Sequence, residues 1–165
     1  MALVKEHWKV TPPHDHDAVL SSANALLARE HLAAFSVQGT HGPLVWTAFF
    51  AVVEPRGIVV LTSRSSNHGA QLHADTPVSL CVFERCSEWG NPIYGLQAAG
   101  VVANSQPSQL SETYSRRFPQ YAKWVDDGGK TQAEFLLIEL LRIKLVDEAR
   151  FGEEVFIEAE FEVRQ

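Results

Sequence analysis

The stretch LVWTAFFAVVE (44–54) constrains the fold more than any other part of the chain. It reads as a long β-strand, and it is apolar on both faces. Such a strand needs cover on both sides. A β-barrel supplies one cover. The other is a helix, a second subunit or a flat ligand.

Short turns surround this strand. AAFSVQ (33–38) is a strand that ends at the turn THGP (40–43), and PRG (55–57) leads into IVVLT (58–62). Together they make a meander. PVSLCVF (77–83) and PIYGLQAAGVVAN (92–104) supply two more strands, the second containing Gly95 and Gly100. Glycines inside a strand mark a bend or the close approach of something flat. EVFIEAEFEV (154–163) alternates apolar residues mostly with glutamates, the pattern of a half-exposed strand at or near an edge. FLLIELLRIKLV (135–146) stays ambiguous: its leucines favour helix, whereas L-R-I-K-L alternates like a strand. Helical periodicity runs from about Asp17 to Glu30, with Asp15 or Asp17 as cap and Asn24, Arg29 and Glu30 outside. A short helix is expected through about Ala74. Another starts at Pro107 or Ser108, turns Leu110 and Tyr114 inward and stops at Pro119. The strands lack regular crossover helices, so a doubly wound parallel sheet is excluded. The pattern fits a mainly β fold, a barrel of six or more antiparallel strands with peripheral helices.

Residues 1–16 read as a flexible arm closed by Pro12-Pro13, and residues 17–165 as a single domain. With 14 basic and 20 acidic residues the net charge is −6, and no basic stripe forms. That argues against a nucleic-acid surface. The N-terminus lacks the apolar core of a signal peptide, and no apolar run is long enough to cross a bilayer. A soluble cytoplasmic protein is expected, with no membrane partner. Cys81 and Cys86 lie in CVFERC, which is neither a zinc nor a C-x-x-C redox spacing. An odd separation on a strand points them to opposite faces, which reads as two reduced thiols. His14-Asp15-His16-Asp17 has the letters of a metal site but not three or four converging ligands. No metal is expected, and His31, His41 and His73 show no ligand spacing.

The chemistry concentrates in LTSRSSNHGAQL (61–72). Two readings of these residues stay open. One is a capped surface turn, where Ser and Asn are common. The other is a phosphate cradle: hydroxyls on Thr62, Ser63, Ser65 and Ser66, a guanidinium on Arg64, and N–H groups of 67–69 at a helix start capped by Ser66. No Walker or G-x-G-x-x-G fingerprint is present.

The run HLAAFSVQGTHGPLVWTAFFAVVEPRGIVVLTSRSSNHGAQLHADTPVSLCVF, continued by GLQAAGVV and YSRRFP, resembles the pyridoxamine 5′-phosphate oxidase-like, FMN-binding split-barrel superfamily. It looks closest to the small bacterial YhbP-type branch. The resemblance covers roughly residues 17–152. It implies a split barrel, and a homodimer with FMN in a groove between the subunits. By position, Val45, Trp46, Thr47 and Ala48 would flank the flavin ring, and Val60, Leu61, Thr62 and Ser63 would run past it toward the phosphate. Ser66, Asn67 and His68 fall where the oxidases show Ser-Arg-Lys. Gln97 lies on the strand that lends a polar side chain from the partner subunit. Asn67-His68 removes two formal charges from the phosphate grip, which Arg64, Arg116 or Arg117 would have to replace; surface ion pairs are the other reading of the last two.

The function implied is that of a flavin-dependent oxidoreductase, with flavin doing the redox chemistry. No catalytic acid or base stands out, and the substrate-phosphate residues of the true oxidases are not recognisable. A non-catalytic flavin carrier stays open. So does a split barrel that binds deazaflavin or haem, with His68 or His73 as axial ligand, or no cofactor. No nucleophile elbow supports a hydrolase.

Overall fold

The structure is a computed structural model, and it describes residues 2–85, 88–104, 107–129 and 131–162. Eight strands, β1 (Trp8–Val10), β2 (Leu32–Gly39), β3 (Gly42–Val53), β4 (Gly57–Ser63), β5 (Pro77–Phe83), β6 (Tyr94–Ala103), β7 (Ala133–Asp147) and β8 (Ile157–Phe161), form one antiparallel sheet. Its order is β1-β8-β7-β4-β3-β2-β5-β6, and β6 also pairs with β7. That last pairing closes six strands into a ring and leaves β8 and β1 as an extension. The fold is a split β-barrel with peripheral helices.

The ambiguous segment 135–146 is a strand, and the longest of all. Its inward residues Leu136, Ile138, Leu140, Ile143 and Leu145 are buried. Burial between neighbouring strands overrides the helical preference of its leucines. The first half of β7 pairs with β4, and the second half pairs with β8. Strand β6 pairs along nearly its whole length, with a register shift between Ala99 and Gly100. A Cβ on Gly100 would lie 2.3 Å from the Glu139 carbonyl oxygen. The flat object approaching this glycine is the neighbouring backbone at a bulge.

Strand β3 receives its inner cover from the barrel core, where Trp46, Phe50 and Val52 meet Phe35, Ile58, Val60 and Leu80. Its outer cover is a helix, but only over the C-terminal half. Helix α2 (Pro107–Arg117) lays Leu110 and Tyr114 on Ala51 and Val59. Burial, with Tyr121 nearby, pushes the Tyr114 phenol up to about 12. Pro119 ends α2 and also opens a further helix, α3 (Pro119–Asp126), at its first turn. Among the described residues no element covers the outer face of the N-terminal half of β3, where Val45 is 72% exposed; farther on, Phe49 is 51% exposed and meets the Phe118 ring edge-on at 5.5 Å.

Part of the segment read as a loose arm is structured. Strand β1 pairs with β8, Trp8 opposite Phe161, and so forms the sheet edge that β8 was expected to approach. Leu3 and Trp8 are buried. Asn24, expected on the outside of helix α1 (His16–Arg29), accepts from the Leu3 N–H at 2.7 Å and donates to the Leu3 carbonyl at 3.1 Å. Asp15 caps α1 by accepting from the Ala18 N–H at 2.7 Å. Only a 3-10 turn, Gly69–Gln71, forms where a helix was expected through Ala74.

Truncating Phe50 should cost about 3–5 kcal/mol, because the ring is fully buried in the barrel. Val45→Ala, on the open face, should stay within about 0.5 kcal/mol. Urea unfolding of the two variants measures both values.

Candidate functional site

Two places gather the residues singled out in the sequence. The first is the stretch 61–72, at the end of β4. Strand alternation divides its approach. Val60 and Thr62 are buried, whereas Leu61 packs beneath α2 and Ser63 is half-buried. The ring of His68 lies parallel to that of Trp46, with centroids 4.7 Å apart and 4° between planes. Trp46 in turn stacks on Phe35 at 5.3 Å. The Nε2 of His68 is 2.9 Å from the Thr62 hydroxyl and 3.2 Å from that of Ser66.

The remaining polar groups of this stretch also bond one another. Ser63 and Ser65 share a hydroxyl contact at 2.8 Å. The Ser66 hydroxyl donates to the Ser63 carbonyl at 2.7 Å and accepts from the Gly69 N–H at 3.0 Å. A Cβ on Gly69 would fall 1.9 Å from the Ser63 carbonyl oxygen, so only glycine lets the turn close this tightly. Arg64 donates to the Glu134 carboxylate at 3.0 Å and to the Leu72 carbonyl. The hydroxyls and cation that suggested a phosphate cradle are therefore engaged within the chain; Asn67 is exposed beside them. Arg116 pairs with Glu112 on α2 at 2.7 Å. Arg117 donates to the Leu27 and Glu30 carbonyls at 3.0 and 2.8 Å, tying α2 to the C-terminal end of α1.

The second place is the outer wall of the barrel across β3, β2, β5, β6 and β7. Residues paired in an antiparallel ladder share a face. One row runs Val45, Ser36, Ser79, Ala99, Arg142. The next runs Thr47, Ala34, Cys81, Gln97, Lys144. Small side chains at the centre leave a cavity of about 360 Å³, which Val45, Gln97, Arg142 and Lys144 help to line. That volume lies within the range of small-molecule sites. On the β2–β3–β5 side, Leu32 and Phe83 are 54% and 60% exposed. Burial pushes the Cys81 thiol up, so it sits on this floor as a neutral group. Cys86 lies outside the described residues.

This wall brings together only part of the expected set. Val45 and Gln97 line it, and Thr47 lies in the adjacent row. Trp46 and Ala48 pack into the core instead, because consecutive residues of a strand cannot face one cavity. Arg142 and Lys144 were not expected here. Their signal was the L-R-I-K-L alternation, which puts both cations on the face opposite Ile143 once the segment is a strand. Ser36, Ser79, Gln97 and Arg142 have no side-chain hydrogen bond or ion pair within the described chain, and Lys144 only lies 4.4 Å over the Phe156 ring. Among the described residues no group of three or more His, Cys, Asp or Glu could hold a metal ion. Among them also, no helix is long and apolar enough to cross a membrane.

No family model and no curated protein matches the chain. Solved structures do. A haem-binding protein from Mycobacterium smegmatis superposes with a TM-score of 0.66 at 14% identity, over 85% of this chain and 56% of that one. The chain therefore spans little more than half of that protein. The haem storage protein HutZ from Vibrio cholerae gives 0.55 at 18% identity, over 73% and 87%. A FAD-binding protein from Mesorhizobium loti gives 0.51 at 11% identity, over 94% and 99%. These likenesses establish the split-barrel fold.

Burial lowers the His68 pKa from 6.5, so the folded chain holds a neutral imidazole. Below that value the unfolded chain binds the proton first, and stability should fall as pH drops. Urea midpoints measured at about pH 8 and about pH 5 should separate more for the wild type than for His68→Phe, which keeps a stacked ring but does not titrate.

Proposed function

We propose that this chain binds FMN on the outer barrel wall, with a second copy covering the groove, and acts as a flavin-dependent oxidoreductase related to pyridoxamine 5′-phosphate oxidase, of the YhbP-type branch. The observation that carries this reading is the wall itself: a cavity floored by small side chains, bordered by exposed apolar residues, and lined by Ser36, Ser79, Gln97 and Arg142, which have no side-chain hydrogen bond or ion pair among the described residues. Ala34, Ala99 and Ser79 let a planar ring approach the sheet closely. Val45, Phe49, Leu32 and Phe83 supply the apolar surface that a second copy would bury, and burial would exclude water from the ring. Gln97 offers an amide N–H and a carbonyl to the polar edge of a heterocycle. These donors and surfaces fit a flavin. When bound, FMN supplies the electron-transfer chemistry; the chain positions it and shields it. The names of the similar structures include FAD and haem binding, so a planar cofactor at this fold has precedent in both classes.

Purified protein mixed with FMN and then desalted should retain an oxidised-flavin absorbance spectrum. Ser79→Trp, which fills the groove from an exposed position, should abolish retention and leave the far-UV spectrum unchanged. Sedimentation should show a dimer; a clean monomer would remove half of the proposed site. A haem-type absorbance band instead would assign the wall to a tetrapyrrole.

A further inference from the structure

We propose that the anionic group of the bound cofactor is held by Arg142 and Lys144 on β7, not by the stretch 61–72. This rests on the reading of the outer wall as the cofactor site and adds the location of its anion grip. The argument is one of elimination among named cations, joined to placement. Arg64 is committed to Glu134 and to the Leu72 carbonyl. Arg116 is paired with Glu112, and Arg117 caps α1. In 61–72 the hydroxyls of Thr62, Ser63, Ser65 and Ser66 and the Gly69 N–H are engaged in bonds of their own. A phosphate there would have to break several of these bonds before making any.

Among the described residues Arg142 and Lys144 carry no hydrogen bond or ion pair of this kind; the Lys144 ammonium rests over the Phe156 ring, a contact without a competing anion. Both line the cavity. They stand two residues apart on one strand, so their side chains project on the same face. Their cross-strand neighbours on β8 are Glu160 and Glu158. Neither acid comes within ion-pair distance of them, so both cations remain available to a ligand. Glu158 also lines the cavity, and its charge opposes an anion seated too far toward β8. The favourable seat therefore lies on the β6 side of the two cations, beside Ala99 and Gln97. A guanidinium and an ammonium converging on one phosphate give charge-assisted bonds.

The test compares FMN with riboflavin, which has the same ring and no phosphate, by quenching of flavin fluorescence. Wild-type protein should prefer FMN by about tenfold or more. Arg142→Gln/Lys144→Gln should bind both flavins equally, at the wild-type riboflavin affinity, with an unchanged far-UV spectrum and urea midpoint. Arg64→Gln should keep the preference. The salt dependence of FMN binding should also flatten in the double variant. Loss of preference in Arg64→Gln with retention in the double variant would overturn the inference and return the phosphate to 61–72. Equal affinity of wild-type protein for the two flavins would overturn it as well. Failure of wild-type protein to bind either flavin would instead overturn the flavin reading beneath it.

Discussion

Barrel closure depends on β6 meeting β7. Every other pairing in the ring joins strands that a simple sheet would also join. This one brings the last long strand back to β6, and it tolerates no side chain at Gly100, where the Glu139 carbonyl occupies the space. Once the ring is closed, the inward side chains of six strands share one core, and α1 seals it. The outward side chains are then fixed in direction as well. The wall that carries the candidate site is thus a consequence of closure.

The same closure assigns different fates to the two halves of β3. Past Phe50, α2 presses Leu110 and Tyr114 onto the outer face. Before it, the outer face continues uncovered across β2 and β5. Leu32, Val45 and Phe83 stand exposed along it. The apolar side chains lie along β2, β3 and β5, and Arg142 and Lys144 lie on β7, so the wall has an oily side and a charged side. A ligand with a flat ring and one anionic end matches that division.

Much of the fold was legible in the sequence, because burial writes a period of two into β2, β5 and β8 and a long apolar run into β3. Strand β5 has the bounds its apolar run suggested. Other parts depended on tertiary context. The leucines of β7 suit either a helix or a strand, and only the neighbours on both sides decide. Residues 8–10 are too short to declare a strand, and they become one by pairing with β8. Pro119 marks a helix end in sequence, but it begins a helix equally well. The surroundings of the singled-out residues depend on tertiary context more than the strands do. A cluster of hydroxyls next to an arginine looks the same whether its donors face a ligand or each other, and here they face each other. Along 45–48 the side chains alternate, Val45 on the wall and Trp46 in the core, and only the closed barrel decides which of them face outward. Arg142 and Lys144 went unnoticed because they sat in the segment whose secondary structure was unsettled.

The separation of wall from core bears on how such a chain changes over time. Floor residues such as Ser36, Ser79, Ala99 and Gln97 point away from the packed interior. Substitutions there alter what the wall accepts while leaving the barrel's own packing in place. Changes to the wall's lining and changes to foldedness are therefore separable in this barrel. The lining of the wall can thus be rewritten one side chain at a time, without passing through an unfolded ancestor.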